Sequence, residues 1–225
     1  MRFRKFFGFT LAETLITLTI IGIVASLTMP SLIQHHKKQE TSARLKKFYS
    51  TMEQAIRLSE IDNGDAKDWL RESNIKNEDG ESDYEKNSVA SKEFFLKYLG
   101  PYFKYTKISD VKFNENEINT RVYLSDTSYF QLWNGGCLDI RFDTNGDRGP
   151  NTFGKDRFML LLCQKDFERI NRCGNEQKVF CAYGDSSINK SREKSLESCK
   201  TSPITCSNLL QRDNWEFKSD YPHRL

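Results

Sequence analysis

Carboxylates and amide side chains alternate along Phe142-Asp143-Thr144-Asn145-Gly146-Asp147-Arg148-Gly149-Pro150-Asn151, and the run closes with Gly154-Lys155-Asp156. Oxygen ligands at alternate positions of a glycine-rich turn suit calcium, which takes carboxylates, amide oxygens and backbone carbonyls in a flexible shell. Asp143, Asn145 and Asp147 are the first candidate ligands, and Asp156 offers a further carboxylate from the next strand. The spacing departs from an EF-hand: Arg148 stands at the sixth position in place of Gly, and Gly154 at the twelfth in place of Glu. The plain alternative is an Asn-Gly hairpin turn whose aspartates cap local N–H groups, and both readings stay open. A phosphate loop is excluded although Gly149 to Lys155 spells G-x-x-x-x-G-K. Asp156 replaces the Ser or Thr that would hold magnesium, and Pro150 removes a backbone donor from the cradle.

The other chemistry-bearing residues are cysteines and one carboxylate. All six cysteines (Cys137, Cys163, Cys173, Cys181, Cys199, Cys206) fall in the last 89 residues. An even number confined to a polar region beyond an apolar segment points to disulfides in an oxidising compartment. Zinc is the weaker reading, because no two cysteines are spaced C-x-x-C and His35, His36 and His223 lie far from the cluster in sequence. Among the possible connectivities, the local pairs Cys173 with Cys181 and Cys199 with Cys206 are the simplest expectation. Glu13 stands at the start of an apolar run, where a carboxylate needs a partner, marks a function or snorkels to the interface. No G-x-S-x-G or H-E-x-x-H occurs, and the polar region holds no His before His223, so no enzyme constellation is expected.

The elements that must carry these residues follow from composition. With 225 residues, 37% hydrophobic and 29% charged, the chain suits one globular domain with some length to spare. A net charge of +3 gives no general attraction to nucleic acid, which is not expected as a partner. From Thr14 to Ile33, 20 residues carry no charge; as a helix they measure about 30 Å, the thickness of a bilayer core. A cleaved secretory signal is not expected, since no A-x-A-like site follows Pro30. Arg2, Arg4 and Lys5 on one flank face Lys37, Lys38, Arg44, Lys46 and Lys47 on the other, so charge does not settle orientation. The cysteines do, placing the C-terminal region outside the cytoplasm.

Beyond the apolar run, Leu45, Phe48, Tyr49, Met52, Ala55, Ile56 and Ser59 recur at helical spacing. The expected arrangement is one helix from Phe9 to about Ile61, roughly 80 Å long, with its second half packed on a head. Asn63 to Ser88 has loop composition with one turn anchored by Trp69 and Leu70. Ser91 to Leu99 reads as a Ser-capped helix ended by Gly100-Pro101, and Ser202-Pro203 as the start of a helix through Leu209 and Leu210. Strands are expected at Arg121–Leu124, Tyr129–Trp133, Leu138–Phe142 and Phe158–Cys163. The fold class is α+β, a long N-terminal helix on an antiparallel sheet.

Gly8 followed by Phe9-Thr10-Leu11-Ala12-Glu13 and an unbroken apolar helix resembles the leader of type IV pilins and type II secretion pseudopilins. The resemblance covers the first 30 to 50 residues and implies a pilin-like head and no catalysis. It divides the chain into a leader (1–8), a transmembrane and filament-core helix (9–33), an amphipathic extension (34–61) and an extracytoplasmic head with a cysteine-rich tail (62–225). A membrane prepilin peptidase would cut between Gly8 and Phe9 and methylate the new amine of Phe9. Glu13 would neutralise that amine on a neighbouring subunit during assembly at an inner-membrane platform, and Gly22 and Pro30 would let the helix loosen or kink there. The chain would sit in lipid first, as a single-pass protein of the bacterial inner membrane, and later in a periplasmic or surface filament. The D-x-N-G-x-x-x-P-N run resembles the calcium loop of pseudopilin heads. A larger head, five cysteines from Cys163 onward and the closing Trp215 and Asp220-Tyr221-Pro222 depart from the major pseudopilin pattern. A minor subunit that binds a ligand or DNA, or a plain signal-anchored domain, therefore stays open beside the filament subunit.

Overall fold

The computed structural model describes residues 8–112, 117–164, 173, 178–184, 187 and 190–225; the leader cations Arg2, Arg4 and Lys5 lie outside the described residues. Helix α1 runs Leu11–Asn63, 53 residues. Its apolar half satisfies its hydroxyls internally, as Thr14, Thr17, Thr19, Ser26, Thr28 and Ser31 each donate to a carbonyl three or four residues back. In the single chain α1 continues through Gly22 and Pro30. Proline removes a single rung, and the neighbouring hydrogen bonds carry the helix through. Gly64, at φ 76°, ends it, and its N–H returns to the Glu60 carbonyl at 3.1 Å.

The second half of α1 buries Thr41, Leu45, Phe48, Met52, Ala55, Ile56 and Ser59, the stripe that the spacing marks. It lies on a six-stranded antiparallel meander in the order β1 (Lys107–Lys112), β2 (Ile118–Tyr123), β3 (Tyr129–Asn134), β4 (Leu138–Asp143), β5 (Arg157–Leu162) and β6 (Phe180–Ala182). Val122, Phe130, Leu132, Ile140, Phe142, Phe158 and Leu160 bury one face of the sheet in the core. Phe48 is the centre of this contact, stacked on Phe142 with ring centroids 4.0 Å apart and 5.2 Å from Phe130.

Helix α2 spans Tyr84–Phe94 and passes into a π-helical turn at Phe95–Leu99. It starts seven residues before the expected Ser91, because Asp83 caps it by accepting from the Lys86 N–H at 3.0 Å. Ser91 is instead buried inside the helix and donates to the Ser88 carbonyl at 2.9 Å. Of the two expected anchors of the turn before α2, Trp69 stacks 4.7 Å from Tyr98, while Leu70 is 77% exposed. Helices α3 (Arg192–Thr201) and α4 (Cys206–Arg212) form a hairpin at the β5–β6 end of the sheet. Gln211 ties that hairpin to both other layers: it donates to Tyr49 Oη at 2.8 Å and accepts from the Ala182 N–H at 3.0 Å.

Candidate functional site

Gly8 and Phe9 precede the helix, and the Phe9 side chain is 89% exposed. Thr10 is the N-cap and forms a reciprocal box with Glu13. The Thr10 N–H and hydroxyl donate to Glu13 Oε2 at 2.9 and 2.8 Å, and the Glu13 N–H donates to Thr10 Oγ1 at 3.2 Å. The carboxylate thus has a partner within its own chain, which the sequence reading missed. The signal was present, since Thr10-Leu11-Ala12-Glu13 is the T-x-x-E capping pattern. Along the helix that follows, no residue of the most apolar stretch is buried by the rest of the chain. Leu15, Ile16, Leu18, Ile21, Leu27 and Leu32 are all more than half exposed. Surface of this kind needs a bilayer or other helices to cover it.

The acidic loop joins β4 to β5 and brings together three of the four candidate ligands. Asn145 N–H donates to Asp143 Oδ1 and its amide to Asp156 Oδ2, both at 3.2 Å. Asp147 turns away to the loop surface and pairs with Arg121 at 2.9 Å. All four oxygens of Asp143 and Asp156 are already accepting. Asp143 Oδ2 takes Arg157 Nε at 2.9 Å and Tyr129 Oη at 3.3 Å, and Asp156 takes the N–H groups of Asn151 at 2.8 Å and Thr152 at 2.6 Å. The Asn151 amide, nitrogen inward, donates to Asp143 Oδ2 and the Gly146 carbonyl, each at 3.0 Å. Burial pushes the Asp143 carboxyl above the usual range despite its ion pair with Arg157. A calcium shell of six to eight oxygens would have to expel a guanidinium and several N–H donors. Asn145 Oδ1 is buried without a hydrogen-bond partner, but one open oxygen is no calcium shell, and the donor set as arranged does not fit the ion. The alternation in sequence misleads because Asp143 closes a strand while Asp147 lies on the loop's outer edge.

What the loop does is join the head to the stem. Arg44 of α1 donates to the Thr144 carbonyl at 2.6 Å and the Asp126 carbonyl at 2.9 Å, and Lys47 pairs with Asp126 at 2.9 Å. Gly146, at φ 74°, is required here, since a Cβ would overlap the Thr127 carbonyl oxygen.

The cysteines close three disulfides, Cys137–Cys163, Cys173–Cys181 and Cys199–Cys206, and no free thiol remains. Contrary to its distance in sequence, His223 lies beside the third bridge, with Nε2 2.9 Å from the Cys199 carbonyl oxygen. The tail is further pinned by Arg192, which pairs with Asp213 at 2.7 Å and Asp220 at 2.8 Å, and by Tyr221, whose hydroxyl donates to the Gly154 carbonyl at 2.6 Å.

Two family models match the chain. One, the prokaryotic N-terminal methylation motif, matches residues 3–29 and contains Gly8, Phe9 and Glu13; it makes the N-terminus a prepilin segment of the type IV pilin and pseudopilin kind. The other, a family of unknown function (DUF6613), matches residues 31–225, the amphipathic half of α1 and the whole head. No curated protein and no solved structure matches the chain. With a long N-terminal helix, a six-stranded antiparallel head and nearly the whole length beyond the methylation motif matched, the chain belongs to the family of unknown function DUF6613.

Proposed function

We propose that this chain is the precursor of a filament subunit, in a type IV pilus or a type II secretion pseudopilus. A prepilin peptidase cuts it after Gly8 and methylates Phe9, and the subunit then leaves the membrane for the filament core. The observation that carries this reading is the 53-residue helix whose apolar half is wholly uncovered by its own head and is headed by the methylation motif. Three disulfides support a head outside the cytoplasm and a leader inside, where the peptidase would work. Partners are the peptidase, other pilin-like subunits, the inner-membrane assembly platform and, before assembly, lipid. Catalysis has no part in the mechanism.

The box between Thr10 and Glu13 gives the mechanism a physical step. In the membrane, the carboxylate is satisfied by its own Thr10 N–H and hydroxyl. Cleavage creates an ammonium on Phe9, and when two stems meet, Glu13 of one can exchange Thr10 for the Phe9 cation of the other. A cation missing from its partner in apolar surroundings is heavily penalised, so the pair sets the register of assembly more than it adds net stability.

Glu13→Gln separates this from a purely local role, because Gln completes a capping box as well as Glu but carries no charge. Cells carrying E13Q should insert and cleave the subunit normally yet yield no sheared or cross-linked filaments, as should E13A. Normal filaments from E13Q would reduce Glu13 to a helix cap and sink the pairing step.

A further inference from the structure

At the foot of the head, a cleft of about 260 Å³ opens between α1 and the β4–β5 loop. We infer that it binds the phosphate of a phospholipid headgroup while the subunit is in the bilayer. Lys37 and Lys155 face the cleft from its two walls, and neither makes an ion pair among the described residues. Arg148 adds a third cation, held among the described residues by a 3.3 Å hydrogen bond to Thr127 Oγ1. Of the acids in the lining, Glu40 is closed onto Arg44 at 2.9 Å, while Asp156 accepts from the neutral donors of Asn145, Asn151 and Thr152 and keeps its charge. With Arg44 and Glu40 paired, Lys37, Arg148 and Lys155 outnumber Asp156 and the main-chain carboxylate of Leu225, so the cleft keeps a net positive charge.

One acceptor sits among these donors. Asn145 Oδ1 is buried and has no hydrogen-bond partner, and its residue lines the same cleft. A ligand that carries an O–H or N–H donor beside its anionic oxygens, as a phospholipid headgroup does, satisfies it. Position supports the same ligand. Lys37 follows the last residue of the apolar run, Ile33, by four positions, about 6 Å along a helix, and a headgroup layer is roughly 5 to 8 Å deep. Leu225 closes the cleft beside this level, its main-chain oxygen accepting from Gln34 Nε2 at 3.2 Å.

The inference rests on the stem spanning a bilayer and not on cleavage or polymerisation, so the uncleaved full chain serves for the test. Full-length protein is reconstituted in phosphatidylglycerol vesicles with EDTA present, extracted in mild detergent, and examined by native mass spectrometry for retained lipid. Wild type should keep one phospholipid per chain. K37Q/K155Q should lose at least about tenfold of that retention with its circular dichroism unchanged, and each single variant serves if the double one does not fold. Undiminished retention by these variants would overturn the assignment. So would competition by inorganic phosphate or glycerol 3-phosphate as strong as that of the lipid, which would make this a site for a free phosphate. A chain that never enters the vesicles would overturn the spanning reading of the stem and this inference with it.

Discussion

Asp213 and Asp143 are two buried aspartates that carry opposite pH signatures. Burial raises the Asp213 carboxyl, but Arg192 and Lys218, at 2.7 and 2.8 Å, outweigh it and hold it below the usual range. Its contribution is therefore complete above the ordinary carboxylate value, about 4, and is lost as pH falls through the lowered folded value. D213N should lower head stability by about 1–3 kcal/mol at pH 7, with the gap from wild type closing as the pH falls from the ordinary carboxylate value through the lowered folded one, read by denaturant melts across pH. Asp143 runs the other way. Burial lifts it in the folded state, so its ionisation removes stability as pH rises through the raised value, and its carboxyl 13C resonance should titrate above the usual range. Around it, calcium should find no vacancy. A site with a Kd one hundredth of the added calcium would stabilise the head by about 2.7 kcal/mol, and the expected melting-temperature change on adding millimolar calcium is none. At Glu13 the carboxylate is likewise already engaged, by Thr10, so the assembly role proposed for it requires exchange of that partner rather than an empty place.

Between α1 and the sheet, the contact is concentrated in Phe48, which is 2% exposed and touches Phe103, Phe130 and Phe142. F48A should cost about 3–5 kcal/mol and loosen the head from the stem, visible as hydrogen exchange in the amides of α1 beyond Arg44. The Cys137–Cys163 bridge closes the longest of the three loops, with 26 positions between its cysteines against 8 and 7 for the others. Loop entropy makes it worth about 3.5 kcal/mol against about 2.5 kcal/mol for either local bridge, an order that pairwise Cys→Ser variants would test. The elements read correctly from sequence are those with a strong period. The α1 stripe stands as expected, strands β3 to β5 within one residue and β2 within three, because each buries one face. The elements missed have no such face. β1 is a sheet edge of Lys-Ile-Ser-Asp-Val-Lys with no buried residue, β6 is three residues long, and α3 buries only Ser195 and Cys199. The true start of α2 was legible in Asp83 but hidden by polar loop-like composition. For the acidic loop the composition was plain and the geometry was not, since no spacing rule shows that Arg157 would occupy Asp143.

Across the whole molecule, one end is apolar and uncovered while the other is a polar, three-bridged head gripped by α1 through Phe48, Arg44 and Lys47. Removing the leader takes away Arg2, Arg4 and Lys5, the three charges that make up the net +3, and leaves side-chain charges balanced. A chain so cleaved would be neutral overall, with a stem that its own head does not cover. The intact mass and N-terminal sequence of the protein, made with and without an active prepilin peptidase, test this most directly. The expected result is loss of residues 1–8 and one added methyl group on Phe9, only where the peptidase is present. An uncut chain beside a control pilin that the same peptidase processes would contradict the account and leave a head on a plain membrane anchor.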